Sequence, residues 1–318
     1  MRKSRRAATG VSQVDLTATV GSLQFKNPVM TASGTAGHGA ELAAFVDVSK
    51  LGAVVVKSLS VEPWAGNPAP RVKETAAGMI NSVGLQGPGL ESWATDELPE
   101  LVHSGATIVV SIWGRCVDDY REAADICADL PPEVVAVEVN VSCPNVEDRH
   151  RMFGHDPDST SAVLAATGGS GRPRWAKLSP NVTDIATIAR AAVHGGAEAV
   201  TLTNTLMGMA IDIETRRPAL GAGGGGLSGP AIHPVAVRAV YDVHAAMEDL
   251  PIVGVGGVVS ADHAIEFMLA GASAVQVGTA NFADPRTTEY VLDGMDSWCR
   301  SHGVSRASDL VGLAHETN

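Results

Sequence analysis

The segment "PIVGVGGVVSADHAIEFMLAGASAVQVGT", residues 251–279, contains one complete unit of the predicted fold. It begins with an apolar run, "PIVGVG" (251–256), and ends with another, "AVQVGT" (274–279). Between them, residues 260–270 have helical spacing and start at a serine, Ser260, that is suited to an N-cap. Parallel strands that helices cover on both faces read as uninterrupted apolar runs. The segment therefore predicts a strand–helix–strand repeat.

The same pattern recurs along the rest of the 318-residue chain. Six earlier apolar runs bring the number of predicted strands to eight; they are "PVMTAS" (28–33), "AVVVKS" (53–58), "TIVVSI" (107–112), "VVAVEVNV" (134–141), "RWAKLS" (174–179) and "AVTLTN" (199–204). Further helices are predicted over 41–51, 117–130, 183–194 and 231–247. Eight such units in roughly 250 residues predict an α/β fold of the (β/α)8 barrel type, whereas a doubly wound sheet usually has fewer strands.

The ends of the chain add to this barrel. Residues 14–25, "VDLTATVGSLQF", predict a β-hairpin that turns at Gly21 and Ser22 and plugs the barrel floor. No shift in composition interrupts the repeat, so residues 14–318 are expected to form a single domain after a disordered basic tail, residues 1–13. The long connections are expected after strands two, four and six, at the mouth where barrel active sites lie.

Composition excludes several classes of protein. A net charge of −12 argues against a nucleic-acid partner, because no basic excess is present to neutralise phosphates. No run approaches the roughly 18 apolar residues of a membrane span, so no membrane association is expected. The four cysteines, at positions 116, 127, 143 and 299, form neither a C-x-x-C pair nor a disulfide framework. A reduced, cytoplasmic setting fits this pattern, and the chain offers no ligand set for an iron–sulfur cluster or another metal.

Unusual chemistry stands at the carboxyl ends of the predicted strands, which share one mouth in a barrel. In chain order these ends carry Ser33 and Gly34, Lys57 and Ser58, Ser111, Asn140 to Cys143, Lys177, Thr203 and Asn204, Gly256 and Gly257, and Gly278 and Thr279. A strand needed only for stability has no reason to end in lysine. Two inward lysines therefore favour a bound anion over the alternative of two solvated rim side chains.

Three glycine-rich stretches differ in what they indicate. "GVGGV" (254–258) and "VGTAN" (277–281) follow strands seven and eight, where barrels often bind phosphate through backbone N–H groups. Either stretch alone is as well explained by a tight turn, but together they predict a phosphate site. "GAGGGG" (221–226) matches the dinucleotide fingerprint letter for letter but does not open a first βαβ unit, so we interpret it as bare backbone beside a ligand.

Amide and thiol side chains are expected at the same mouth. An amide offers both a donor and an acceptor, so Asn81, Asn140, Asn145 and Asn204 together suit a flat ligand with carbonyls and ring N–H groups, although a single Asn is more often structural. A free cysteine usually behaves as a small buried hydrophobe. Cys143 differs because it lies beyond strand four, and a thiolate with a lowered pKa that accepts a proton is an open interpretation.

At these residues the chain resembles the class 1 dihydroorotate dehydrogenases. The resemblance runs from about residue 14 to 312 and includes "TASGT", "VVVKS", "NPAPRV", "GMINSVGLQGPG", "EVNVSCPN", "AKLSPNVTDI", "TLTNTLMGMAID", "GGLSGPAIHPVAVRAVY", "VGVGGV" and "AVQVGTANF". "NTLMGMAID", "TRRPALG" and "VGTANF" are most like the NAD-linked type 1B catalytic subunit. The resemblance implies a flavin mononucleotide (FMN) in the barrel mouth and oxidation of dihydroorotate to orotate in pyrimidine (UMP) synthesis.

The resemblance also implies roles for individual residues. Cys143 matches the base that takes a proton from substrate C5 while a hydride leaves C6 for flavin N5. The positions that match substrate contacts are Lys57, Asn81, Ser82, Val83, Gly84, Leu85, Asn140, Asn145, Asn204 and Thr205. Those that match cofactor contacts are Ser33, Gly34, Lys57, Ser58, Ser111, Asn140, Lys177, Thr203, Gly229, Gly256, Gly257, Gly278 and Thr279.

Two features depart from the family pattern. The segment "NVEDRHRMFGHDP" (145–157) stands where a glycine-rich stretch is expected, and its charges, from Glu147 to Arg151, bear on lid closure or substrate access. Ser111, in "SIWG", stands where relatives often have Asn, which changes one flavin contact. Neither departure removes the core set of residues.

The resemblance implies a partner, and it leaves alternatives. The 1B branch implies a homodimer core within a heterotetramer, completed by an electron-transfer subunit that carries FAD and an iron–sulfur cluster; fumarate stays open as another acceptor. One alternative is a related flavin barrel acting on another dihydropyrimidine, such as a dihydropyrimidine dehydrogenase or a dihydrouridine synthase. The absence of cysteines for a cluster weighs against a dihydropyrimidine dehydrogenase. The negative net charge weighs against the tRNA substrate of a dihydrouridine synthase. Intact Lys57, Asn81 and Cys143 weigh against a flavin-binding barrel without turnover, while the altered segment 145–157 keeps that alternative open.

Overall fold

The computed structural model describes residues 13–143 and 152–316; residues 1–12 of the predicted tail and Asn145 lie outside this range. In these residues the strands are β1 (Ala18–Val20), β2 (Leu23–Phe25), β3 (Val29–Thr31), β4 (Val54–Val55), β5 (Val72–Thr75), β6 (Gly78–Asn81), β7 (Ile108–Ile112), β8 (Val134–Asn140), β9 (Arg174–Leu178), β10 (Ala199–Leu202), β11 (Leu206–Gly208), β12 (Ile211–Asp212), β13 (Arg217–Pro218), β14 (Gly225–Ser228), β15 (Ile252–Val255) and β16 (Ala274–Val277). The α-helices there are α1 (Leu90–Asp96), α2 (Leu98–His103), α3 (Val117–Ala128), α4 (Pro157–Ala166), α5 (Ile185–His194), α6 (His233–Ala246), α7 (Ala261–Leu269), α8 (Ala280–Ala283) and α9 (Thr287–His302).

Eight parallel strands form the barrel, in the order β3, β16, β15, β10, β9, β8, β7 and β4. The ring closes between its first and last strands, where Met30 and Ala53 form a parallel bridge and the Thr31 amide donates to the Ala53 carbonyl at 3.2 Å. Each of the eight predicted strands contains one of these observed strands. The predicted (β/α)8 barrel is therefore confirmed.

The floor of the barrel is filled with apolar side chains. Met30, Val109 and Trp175 point inward and pack in one buried cluster with Val20 and Phe25 from the N-terminal hairpin. The hairpin is formed by β1 and β2, and the Phe25 ring meets the Trp175 ring edge-on at 5.8 Å. The predicted hairpin is confirmed, and its side chains close the barrel at the end opposite the site.

Most predicted helices are present, with two corrections. The helix predicted over 41–51 is wrong, because two short 3-10 turns, Glu41–Ala44 and Val48–Lys50, take its place. The Asp47 carboxylate accepts from the Ser49 amide at 3.1 Å and so begins a new turn in the middle of the predicted helix. Ser260 precedes α7 as predicted, but its side chain makes no capping hydrogen bond.

The long connections follow β4, β8 and β10, as predicted, and two of them build a second sheet. Its antiparallel order is β11, β14, β6 and β5, and β12 pairs with β13 in a separate ribbon. The sequence did not predict this sheet, which stands over the carboxyl ends of the barrel strands and walls the site. Among the helices in the described ranges, none has the length and apolar character needed to cross a bilayer.

Candidate active site

A cavity of about 400 Å³ opens at the carboxyl ends of the barrel strands. Nineteen of the predicted site residues line it: Ser33, Gly34, Lys57, Ser58, Asn81, Ser82, Val83, Gly84, Leu85, Asn140, Lys177, Thr203, Asn204, Thr205, Gly229, Gly256, Gly257, Gly278 and Thr279. Ser111 and Cys143 are buried outside the lining. The bare backbone of residues 224–226 contributes to the wall, where we expected "GAGGGG" to lie beside a ligand.

A chain of hydrogen bonds connects side chains from four neighbouring elements. Asn140 donates from Nδ2 to Ser58 Oγ at 3.2 Å, and its Oδ1 accepts from Asn204 Nδ2 at 3.1 Å. Ser58 Oγ and Ser111 Oγ are 2.8 Å apart, so the buried Ser111 hydroxyl holds the Ser58 hydroxyl in place. Asn204 Oδ1 accepts in turn from the Thr205 amide at 2.8 Å. These contacts fix which end of each amide faces its neighbours, and hence what each can offer a ligand.

The second sheet holds Asn81 over the cavity. Asn81 lies on β6, opposite Gly226 on β14, and its Nδ2 donates to the Gly226 carbonyl at 3.3 Å. A Cβ on Gly226 would lie 2.0 Å from Thr205 Oγ1, so only glycine fits between the two walls. The amide of Asn81 is thereby placed on the side of the cavity opposite the barrel strands.

Glycine turns meet at the other end of the cavity. Gly257, which follows β15, has a φ of +70° and approaches the Gly229 carbonyl so closely that a Cβ would lie 2.8 Å from it. Thr279, after β16, donates through Oγ1 to Ser228 Oγ at 2.8 Å. Three connections therefore expose backbone and hydroxyl groups within one small region, as a phosphate site requires.

The charged side chains that line the cavity, among the described residues, are both positive. Lys57 and Lys177 line it, and none of the described lining residues is acidic. Burial, the larger cause, and the Arg71 charge both lower the pKa of Lys57. A partly desolvated ammonium gains from a bound anion, because the anion restores the interactions that water no longer provides.

Two buried hydroxyls in the lining lack partners. Within the described residues, Ser82 Oγ and Thr203 Oγ1 are inaccessible to water and form no hydrogen bond. A buried polar atom without a partner costs free energy and points to a group that the folded chain leaves room for. Both residues belong to the lining of the cavity, so each hydroxyl lies next to the space that a polar ligand can fill.

Cys143 differs from what its position in the sequence suggested. Its side chain is fully buried, and Sγ donates to the Asn140 carbonyl at 3.4 Å. Tyr120 on α3 donates to the same carbonyl at 2.7 Å. Burial raises the pKa of the Cys143 thiol to about 12, although the hydrogen bond with Tyr120 acts to lower it. The expected lowering of this pKa is therefore wrong for this arrangement, in which desolvation outweighs hydrogen bonding.

Sequence reasoning missed several residues of the site. Tyr120 contacts the cysteine from a helix, where a buried tyrosine looks like ordinary core, so no pattern marked it. Asn67 and Met152 line the cavity from connecting segments, and Phe282 lines it from the short helix α8. Asn67 donates to the Ser82 carbonyl at 3.1 Å, and its position in "NPAPRV" was the one available signal.

Comparisons with known proteins agree with the resemblance in the motifs. The sequence profile of the dihydroorotate dehydrogenase family matches residues 15–298. The catalytic subunit of dihydroorotate dehydrogenase B (NAD(+)) from Pelobacter propionicus is 47% identical over 299 residues, which cover 94% of this chain and 98% of that subunit. The subunits of the same name from Desulforudis audaxviator and Alkaliphilus oremlandii are 50% and 49% identical, over 94% and 92% of this chain and 97% and 96% of their own. The chain belongs to the dihydroorotate dehydrogenase family.

Proposed function

We propose that the cavity binds FMN together with dihydroorotate and that Cys143 removes the substrate proton as the substrate is oxidised to orotate. As a member of its family, the chain is an oxidoreductase that acts on dihydroorotate in pyrimidine biosynthesis. The observation that carries the proposal is the arrangement of one cavity: glycine turns at one end, amides at the other, and two lysines between walls that carry no acidic group among the described lining residues.

The groups of the cavity fit FMN. Gly229, Gly256, Gly257, Gly278 and Thr279 would hold the phosphate, because they offer close backbone approach and a hydroxyl. Lys177 and Thr203 would contact the ring, together with Ser33, Gly34, Ser58 and Asn140. When bound, FMN supplies the acceptor for the hydride that leaves C6 of dihydroorotate.

The amide chain would orient the substrate. Asn140 and Asn204 are fixed by their mutual hydrogen bond, and Asn81 faces them from the second sheet. Amides can match both the carbonyls and the ring N–H groups of a dihydropyrimidine, while Lys57 attracts its carboxylate. The segment 82–85, with Thr205, would close the remaining side, and Asn145 completes the proposed set from outside the described residues.

Cys143 would accept the proton from substrate C5 at Sγ. In the described structure Sγ donates to the Asn140 carbonyl and carries its proton, since burial raises its pKa to about 12. Turnover therefore requires Sγ to leave that hydrogen bond, reach the cavity and lose its own proton. Tyr120 stays hydrogen-bonded to the same carbonyl and would hold the loop in place meanwhile.

The proposal includes a second subunit with FAD and an iron–sulfur cluster, which passes electrons to NAD. The relatives are named catalytic subunits of an NAD(+) enzyme, and four scattered free cysteines are a poor ligand set for a cluster. A homodimer core is supported by exposed apolar side chains beside the second sheet, such as Met209, 60% exposed, and Ile213, 81% exposed. A cytoplasmic location suits the free thiols.

Two measurements on the isolated chain test this function. Acid-released cofactor should co-migrate with FMN on chromatography, and the chain with dihydroorotate and an artificial dye should form orotate. FAD in place of FMN, or a colourless chain that cannot be reconstituted, would defeat the cofactor assignment. Turnover of dihydrouracil but not of dihydroorotate would favour the related dihydropyrimidine reaction.

A further inference from the structure

A buried carboxylate lies below the floor of the cavity. Glu138 is fully buried on β8, two residues before Asn140, so both side chains point into the barrel. Ala136, two residues earlier, belongs to the apolar cluster that fills the floor. Glu138 thus stands between that apolar cluster and the ligand cavity. A buried ion contributes little net stability, so stability does not explain why a carboxylate lies at this depth in the barrel.

The carboxylate belongs to a network of three side chains that crosses the barrel. Gln276, from β16, donates through Nε2 to Glu138 Oε2 at 2.9 Å. Lys177, from β9, donates through Nζ to Gln276 Oε1 at 3.3 Å. Glu138 Oε1 lies 3.7 Å from Lys177 Nζ and accepts no hydrogen bond within the described residues. The amide of Gln276 can satisfy both partners in only one orientation, with its nitrogen on the carboxylate.

Only one end of this network reaches the cavity. Lys177 lines it, whereas Glu138 and Gln276 do not. The side chain of Lys177 is 5% exposed, and that of Glu138 is 0% exposed. Charges in such a poorly solvated region act on one another and on a ligand with little screening. The formal charges of the pair, one positive and one negative, sum to zero beneath the cavity.

We infer that Glu138 balances the charge of Lys177 and thereby sets the reduction potential of the bound flavin. This inference rests on the proposed FMN site. Reduction adds negative charge to the flavin, so an unbalanced ammonium would favour the reduced form and an unbalanced carboxylate would oppose it. Glu138 is a positioning residue here, because it acts through Lys177 and through its field without touching the ligand.

The test is the midpoint potential of the holoprotein, measured anaerobically against a reference dye at pH 7. We expect Glu138→Gln to shift the ratio of reduced to oxidised flavin at least about tenfold towards the reduced form, or about 30 mV for a two-electron couple. Lys177→Met should shift the ratio in the opposite direction. The double variant carries no buried charge and should return to within about threefold of the parent.

Two further variants separate charge from packing. Thr201→Val is the matched control, because Thr201 is buried on β10 beside Lys177 and its hydroxyl has no hydrogen-bond partner among the described residues. The flavin in this variant should have the same potential as in the parent. Glu138→Asp keeps the charge and should keep the potential near the parent value. A purely structural role for Glu138 would make the two variants at this position behave alike.

The outcomes are distinguishable. An unchanged potential in Glu138→Gln, or a shift in the same direction as Lys177→Met, overturns the inference. If Glu138→Gln cannot hold flavin, the double variant decides, because charge balance requires it to bind FMN again at near the parent potential. A parent chain that binds no FMN contradicts the proposed function instead.

Discussion

At the scale of single residues, the thiol of Cys143 is held in a protonated state by its surroundings. Its Sγ is buried and donates to the Asn140 carbonyl, and burial raises its pKa to about 12. At pH 7 a thiol with that pKa is ionised in about one molecule in 100,000. The proposed base is therefore an unreactive thiol in this structure, and proton removal requires its Sγ to leave this environment.

Removal of the thiol should slow proton abstraction without loss of FMN or orotate binding. Cys143 does not line the cavity, so Cys143→Ala should keep FMN and orotate affinity. Anaerobic flavin reduction by dihydroorotate should slow by at least roughly a hundredfold, the usual minimum for loss of a positioned base. Cys143→Ser is the conservative control and should regain activity at high pH. Flavin reduction at the parent rate in Cys143→Ala would show that another group is the base.

The raised pKa also predicts the pH dependence of the reaction. A thiol becomes a base only when deprotonated, and the thiolate fraction rises about tenfold for each pH unit below a pKa of about 12. The rate constant for anaerobic flavin reduction should accordingly rise with a slope near one between pH 6 and pH 9, as measured by stopped-flow absorbance. Cys143→Ala should lack this slope. A plateau at neutral pH in the parent would mean that substrate lowers the pKa of the thiol.

At the scale of elements, the turns that follow β14 and β15 depend on close backbone contact. Gly257 has a φ of +70°, and a Cβ there would lie 2.8 Å from the Gly229 carbonyl and from the His233 side chain. Any side chain at this position therefore destabilises the fold, because it makes the backbone conformation unfavourable and also pushes the two turns apart.

Gly257→Ala should weaken FMN binding by at least about tenfold, because the two turns that would hold the phosphate can no longer meet. Fluorescence titration of the apoprotein with FMN measures this. Gly171→Ala is the matched control, since Gly171 also has a positive φ, +61°, but no atom lies within 4 Å of its would-be Cβ. The control should lose about 1 kcal/mol of stability or somewhat more and keep its FMN affinity. Equal FMN affinity in both variants would argue against a phosphate site at this turn.

The barrel strands could be predicted from the sequence because each is an apolar run buried on both faces. The second sheet could not be. Its strands β5 and β6 begin at exposed or half-buried residues, and β14 is built from "GGLS". They are held by pairing across long sequence separations, such as Gly226 with Asn81, which no local pattern reveals. The helix predicted over 41–51 is wrong for a local reason. The spacing there is helical, but the Asp47 side chain accepts from the Ser49 amide and starts a new turn.

The candidate site was predictable to the extent that it lies on strand ends. Lys57, Asn140 and Lys177 stand at the carboxyl ends of strands, and a barrel brings such positions together whatever the loops do. The environment of Cys143 was not predictable, because its burial depends on tertiary contacts, such as that with Tyr120 on α3, which no local pattern reveals. Glu138 was missed for a related reason: a single acid inside an apolar run has no visible partner until Gln276 meets it across the barrel.

At the scale of the whole molecule, we propose that electron transfer to NAD takes place in a second protein. The proposed site takes one flavin, and residues 224–226 of "GAGGGG" (221–226) lie in the cavity wall and not at the start of a nucleotide-binding βαβ unit. We expect the isolated chain to turn over dihydroorotate with an artificial dye but not with NAD. Activity with NAD should appear when the partner subunit is co-expressed.

Two results would contradict that expectation. Strong NAD reduction by the isolated chain would remove the need for a partner. Rapid fumarate reduction would place the chain with the fumarate-linked branch of class 1 enzymes. The two acceptors can be compared in one steady-state assay, with the dye reaction as the internal measure of active enzyme.

The most direct test of the central claim is anaerobic mixing of the purified, flavin-loaded chain with dihydroorotate while the flavin absorbance is followed. We expect the absorbance near 450 nm to bleach in one turnover and one orotate to form per flavin. Dihydrouracil at the same concentration should leave the spectrum unchanged over that time, since it lacks the carboxylate that Lys57 is proposed to attract. An oxidised flavin that persists in excess dihydroorotate would contradict the account.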